Sequence, residues 1–291
     1  MVLRTIVTSA YELNYEQERS GAVYKSFSLL TETLDALIHD DFNYIIYTDR
    51  KTSDKHNLEQ KYNRPNIKLV YKELNSEFYT NVINPVREKK FQAGEKFDRI
   101  YAVKNYEEVI INKLENLLEN SHIHHAIDKE ESVIWLDAGL FGTSCSNAWR
   151  DYMRRMIYGK KIFLEKIFEK VEKHRFICTK GNNIIINYEL KDRLKNLHGV
   201  DVSIVPGCLF GGKKDEIQNV LKDYKLTLLN HMNTYQELIS EQEILSILTD
   251  KKEVKFYDFN DWDDLQKAFL KIMDVYNETI YNKDECYKFE L

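Results

Sequence analysis

Three ionisable residues in this chain stand at the ends or flanks of elements, where each could meet a ligand. Asp137 follows the run Ser132 to Leu136, SVIWL, which is apolar throughout its last four residues. Such a run reads as a strand buried on both faces, and ligands of open α/β sheets bind beyond the carboxyl ends of the strands. A carboxylate emerging there can meet a phosphate-bound metal or a ribose. It can equally cap the following turn, and the stretch alone leaves both readings open. Gly139, two residues on, can bring backbone close to a ligand.

Lys113 belongs to a segment, 107–118, in which Ile110, Ile111, Leu114, Leu117 and Leu118 form one apolar stripe. At 100° per residue Lys113 lies about 100° from the centre of that stripe. A long cationic side chain on that flank can lie along a sheet and reach its carboxyl edge. Glu241 opens a third element. Ser240 to Glu243 fits the S-x-x-E capping box, so Glu243 has a structural task, while Glu241 either serves the helix dipole or faces a cleft. Gly211 and Gly212 close the stretch VSIVPGCLFGG and read either as a close approach to a ligand or as a tight turn.

These residues need a scaffold, and the chain supplies a strand–helix alternation. Residues 5–10 (TIVTSA) read as a first strand, 23–38 as a helix and 44–47 (YIIY) as a second strand ending at Thr48-Asp49. That is a βαβ unit with parallel strands. Further strands are expected at 67–71, 176–179, 183–187 and 254–259, and helices at 148–173, 213–232 and 261–281. The segment 76–96 has no firm assignment. His122, His124 and His125 invite a metal reading, but no partner ligands stand at a recognisable spacing, and a solvated loop accounts for them.

The chain has 291 residues, of which 43% are hydrophobic and 31% charged, enough for a full core. A formal charge of −5 excludes a general nucleic-acid binder. No apolar run reaches the roughly 20 residues of a membrane span. The start, MVLRTIVTSAYEL, turns polar too soon for a signal peptide. The cysteines at 145, 178, 208 and 286 are scattered and read as reduced thiols, so a cytoplasmic protein is expected. Neither a linker tract nor an internal repeat divides the chain, and we expect one domain with a helical tail at 261–291.

In order along the chain stand VTSAY, YTD, NKL, WLDAG, PGCLFGG and SEQEIL. The set resembles the GT-A (Rossmann-like) nucleotide-sugar glycosyltransferases, most closely the HtrL/YibB (WlaTC) family of bacterial proteins. The resemblance implies an α/β fold with a central, mostly parallel sheet flanked by helices. It implies transfer of a sugar, of the hexosyltransferase type, from a nucleoside diphosphate sugar to a glycan or other hydroxyl acceptor, with UDP sugars favoured. Bacterial surface-glycan synthesis is the implied setting. Glycogenin-like enzymes offer a second comparison, in which Lys113-Leu114 and Glu241-Gln242 resemble donor-site motifs. By it, Lys113 touches donor phosphate or sugar, Glu241 faces the transferred sugar or acceptor, Gln242 binds the donor, and Thr8, Tyr11 and Asp49 surround the nucleoside. Gly211 and Gly212 join the donor site. The family's Asp-x-Asp is here Asp137-Ala138-Gly139, so the second metal-binding carboxylate is absent, and no histidine follows His231. Asp137 can still hold Mn²⁺ or Mg²⁺ with donor oxygens and waters. A sugar nucleotidyltransferase and a non-catalytic nucleotide-sugar binder are the rival readings. The first usually shows a Gly-rich phosphate loop that TIVTSAYELNYEQ lacks.

Overall fold

The fold is seen in a computed structural model. It describes residues 4–13, 27, 30, 31, 34, 35, 38–95, 101, 104–123, 132–137, 157–174, 176–178, 188–199, 205, 207 and 209–250. The strands are β1 (Arg4–Ser9), β2 (Asn43–Thr48), β3 (Ile67–Tyr71), β4 (Ser132–Leu136), β5 (Phe176–Cys178) and β6 (Leu209–Lys213). They form one sheet in the order β3-β2-β1-β4-β6-β5. β3, β2, β1 and β4 are mutually parallel, as the βαβ spacing requires, while β6 runs antiparallel to both β4 and β5. The expected α/β class with a mostly parallel central sheet is what the chain forms.

The helices are α1 (Arg50–His56), α2 (Leu58–Lys61), α3 (Asn84–Gln92), α4 (Tyr106–Ile123), α5 (Ile157–His174), α6 (Tyr188–His198), α7 (Lys214–Tyr235) and α8 (Glu241–Asp250). Residues 27, 30, 31, 34 and 35 are helical too. The unassigned segment 76–96 contains a π-helical turn, Tyr79–Ile83, running into α3. α4 continues past residue 118, so His122 belongs to a helix rather than a loop. The expected strands at 183–187 and 254–259, the helical tail, His124, His125 and Gly139 lie outside the described residues.

Every residue of β4 is buried because helices cover both faces of the sheet. Val133 and Trp135 join Ile111, Leu114 and Leu117 of α4, with α7 and α8, in one apolar layer. Ile134 and Leu136 join Leu34, Ile38 and Ile167, Phe168 and Val171 of α5 in the other. The two-residue period of a strand therefore sends Trp135 and Asp137 to the α4 side. Gly211 and Gly212 correct the reading made from sequence: they sit inside β6, opposite Ile134 and Val133. A methyl on Gly211 would come within 2.5 Å of the Ile134 Cα, so that glycine lets two strands approach. It forms neither a turn nor, by its packing, an open ligand edge.

Candidate active site

Asp137 leaves β4 on the side of Trp135, and the indole N–H donates to Asp137 Oδ1 at 2.6 Å. Trp135 is itself buried and stacks on Phe210 of β6, with centroids 6.4 Å apart, so the carboxylate is held by a ring that cannot turn freely. Lys113 arrives from α4 over the same face, its Nζ 5.7 Å from the Trp135 ring. The flank position read from helix periodicity is what permits this reach.

The Lys113 ammonium has three N–H groups, and three acceptors surround it. It lies 3.0 Å from Asp137 Oδ1, 2.8 Å from the Gly207 carbonyl and 2.9 Å from Glu241 Oε1. Burial alone would favour the neutral amine, but the carboxylates of Asp137 and Glu241 outweigh it and raise the pKa above the ordinary lysine value. Lys113 is therefore a cation. One ammonium between two carboxylates leaves the trio one negative charge in excess. The side chains of Lys113 and Glu241 are 6% and 8% exposed and that of Asp137 is 34%, so the cluster meets solvent through Asp137.

Glu241 is the first residue of α8, and the capping box forms as its sequence requires. The Ser240 N–H donates to Glu243 Oε2 at 2.9 Å and the Glu243 N–H to Ser240 Oγ at 3.4 Å. Glu243 so completes the cap and leaves Glu241 to Lys113. Glu241 Oε2 takes no hydrogen-bond partner among the described residues. Gly207, which the sequence did not single out, fits against this carboxylate. A methyl there would lie 2.5 Å from Glu241 Cγ and Oε1. Only the Pro-Gly dipeptide hinted at a special backbone position.

The other expected residues lie elsewhere on the same edge. Thr8 is buried in β1, its hydroxyl unpartnered among the described residues. The Tyr11 hydroxyl donates to the Lys72 carbonyl at 3.2 Å, and burial followed by the Asp49 charge raises its pKa. Asp49 caps α1, accepting from the Thr52 N–H at 2.6 Å and the Thr52 hydroxyl at 2.9 Å. Both its oxygens thus have a structural task. Gln242 is half-buried in α8, and its carbonyl accepts from Ser246. Among the described residues no hydrogen bond joins Thr8, Tyr11 or Asp49 to the Lys113 trio.

The donor set bears on the expected metal. No group of three His, Cys, Asp or Glu side chains able to hold an ion occurs among the described residues. Asp137 carries about four lone-pair positions, of which Trp135 and Lys113 use only part, and the rest face solvent. That fits a cation gripped by one protein carboxylate and completed by phosphate oxygens and water.

No family model matches the chain, and no curated protein sequence matches it. Similar solved structures include mouse xyloside xylosyltransferase 1 in its apo form, 8% identical over 88% of this chain and 84% of that one, with a TM-score of 0.42. The 4-diphosphocytidyl-2C-methyl-D-erythritol synthase of Anaerococcus prevotii is 12% identical over 94% and 96%, with a TM-score of 0.40. The PaToxG glycosyltransferase is 10% identical over 93% and 76%, with a TM-score of 0.33. Likenesses this distant decide no chemistry.

Proposed function

We propose that this chain is a glycosyltransferase that moves a sugar from a nucleoside diphosphate sugar to a hydroxyl acceptor. The observation that carries the reading is the Lys113 ammonium clamped between Asp137 and Glu241 at the carboxyl edge of β4. Breaking the anomeric bond leaves charge on a departing diphosphate, and a site for it must supply fixed positive charge there. Lys113 is such a charge, already stripped of water. All three of its protons are taken, so a donor phosphate must displace one acceptor. Asp137 is the exchangeable one, since it is the partly solvated member, while Gly207 and Glu241 keep the ammonium aimed. Glu241 presents Oε2 to the reacting sugar or, in an inverting enzyme, to the proton of the acceptor hydroxyl.

A divalent cation, Mn²⁺ or Mg²⁺, held by Asp137 would neutralise the same developing charge as a Lewis acid. Trp135 fixes the Asp137 carboxylate for that task, and Lys113 limits the approach of a second full positive charge to its outer face. Membership of the HtrL/YibB family, a UDP-hexose donor, a surface-glycan acceptor, a single domain and a cytoplasmic site belong to this proposal on the sequence resemblance and composition. Among the described residues, no helix is long and apolar enough to cross a membrane.

A nucleotide-sugar binder without turnover is the second reading. Gly139 favours it, standing where the resemblance expects the second acidic residue. Melting curves with UDP, GDP, ADP and CDP, with and without Mn²⁺, test both. We expect one diphosphate to stabilise the chain more with Mn²⁺ and its sugar conjugate to be consumed. Stabilisation without consumption selects the binder, and no stabilisation by any of the four rejects both.

A further inference from the structure

Residues 236–240 connect α7 to α8, and their path decides how Glu241 enters the site. The connection starts at Gln236, whose left-handed φ of 56° closes α7. Glu237 accepts from Lys90 Nζ of α3 on Oε1 at 2.8 Å and from Arg193 Nη2 of α6 on Oε2 at 3.2 Å. Leu238 donates its N–H to the Tyr101 hydroxyl at 3.3 Å, and its carbonyl accepts from Arg193 Nη2 at 3.3 Å. Ser240 then begins the cap with Glu243.

Arg193 reaches past the connection into α8 itself. Its Nη1 stands 3.4 Å from Glu243 Oε1, the carboxylate oxygen that the cap does not use. Two positions along a helix turn a side chain by about 200°, so Glu241 and Glu243 leave the first turn of α8 on opposite sides. Lys113 holds Glu241 at 2.9 Å, and Arg193 holds Glu243. The first turn is thus gripped between two cations, one inside the site and one behind it. A guanidinium suits that task, because its rigid fork meets several acceptors from one plane, whereas a lysine is a point charge on a flexible stem.

The charges around this grip are settled at neutral pH. The Lys90 hydrogen bond first, against a smaller effect of burial, and then the Lys90 and Arg193 charges hold the Glu237 carboxyl below the ordinary glutamate range. Glu237 is therefore a carboxylate. His231, whose Nδ1 lies 3.0 Å from His198 Nε2, also stands near this pair. Burial first, then His198 and Arg193, hold its pKa down to about 4. Its ring is accordingly uncharged at neutral pH and does not compete with Arg193 for Glu237.

We propose that Arg193 is a positioning residue. By gripping Glu237 and Glu243, on either side of Glu241 in sequence, it sets the angle at which Glu241 meets Lys113 and the reacting sugar. The contact with Lys113 stands on geometry alone, and the contact with the sugar rests on the glycosyltransferase reading.

Arg193→Met in the full chain tests this. The buried, hydrogen-bonded Lys113 ammonium gives an amine ¹H–¹⁵N signal, which Lys113→Arg assigns by removing it. We expect Arg193→Met to move that signal, because Glu241 leaves its contact with Lys113. The spectra are taken well below Tm, where a loss of stability alone leaves the signal in place. Should Arg193→Met fail to fold, Glu243→Gln carries the test, since glutamine also completes the cap while Arg193 loses its charged partner. In turnover of UDP-glucose with Mn²⁺, kcat per folded chain should fall by about tenfold or more, with the donor KM within about twofold of wild type. A signal left in place overturns the proposal, as does a moved signal with wild-type kcat. A wild-type chain that consumes no donor, with the signal still moved in the variant, rejects the sugar-transfer reading and keeps Arg193 in its role towards Glu241.

Discussion

Replacing Lys113 by Met keeps most of the side chain's length and removes its charge. Its main consequence falls on Glu241, whose side chain is 8% exposed and which then keeps a buried carboxylate with no cation. Removing one partner of a buried pair costs about 3–5 kcal/mol, because the remaining charge goes uncompensated. Asp137 adds little: at 34% exposure it is partly solvated, and such a pair is worth about 0–1 kcal/mol. The Gly207 carbonyl also loses its donor. We therefore expect a loss of about 3 kcal/mol, a large share of the 5–15 kcal/mol typical of a folded domain. Adding Glu241→Gln should recover more than half of it. Urea unfolding of the two variants at neutral pH reads this out. A loss below about 1 kcal/mol, or no recovery in the double variant, would refute the reasoning.

Gly207→Ala forces a methyl to 2.5 Å from Glu241 Cγ, so the carboxylate must move off Lys113. Stability should fall by about 1–3 kcal/mol and transfer activity with it, and unchanged melting and turnover would show that the contact is not needed. Glu241→Gln keeps the cap made by Ser240 and Glu243, and should lower kcat by on the order of 10²-fold through loss of an acid–base or sugar-facing group. Normal kcat with a lowered Tm would assign Glu241 to structure alone. His231 titrates near 4 in the folded chain and near 6.5 unfolded, so the unfolded state binds the extra proton between those values. Stability should accordingly rise with pH across that window, by up to about 1.4 kcal/mol per pH unit from this group. His231→Asn should flatten the slope, and denaturant midpoints measured across the window check it.

The parts of this arrangement that are local in sequence could be read there. The apolar run before Asp137, the helix stripe with Lys113 on its flank and the Ser240–Glu243 box each depend on the period of a single element, and each forms. Where several partners share a residue, the sequence is silent. Lys113 meets Gly207 and Glu241, which are 94 and 128 positions away, and no periodicity encodes such contacts. Gly211 was legible as a glycine that admits close backbone, but not that the approaching backbone is β4. β6 lies between β4 and β5 and antiparallel to both, and its side-chain pattern is the same in either direction. Asp49 shows the converse problem, since a carboxylate at a strand's end serves a helix cap as readily as a nucleoside. The His198–His231 pair joins α7, expected as a helix, to α6, which was not, and their crossing was not legible.

The central claim is that Asp137 is the reactive edge of a sugar-transfer site. Turnover of a nucleoside diphosphate sugar, by transfer or donor hydrolysis, should be measured for the wild-type chain and for Asp137→Asn at saturating Mn²⁺ or Mg²⁺. The substitution keeps the shape and an acceptor for the Trp135 N–H, and removes the charge that faces solvent. The account predicts a folded protein that has lost nearly all turnover. Wild-type turnover in Asp137→Asn would contradict it.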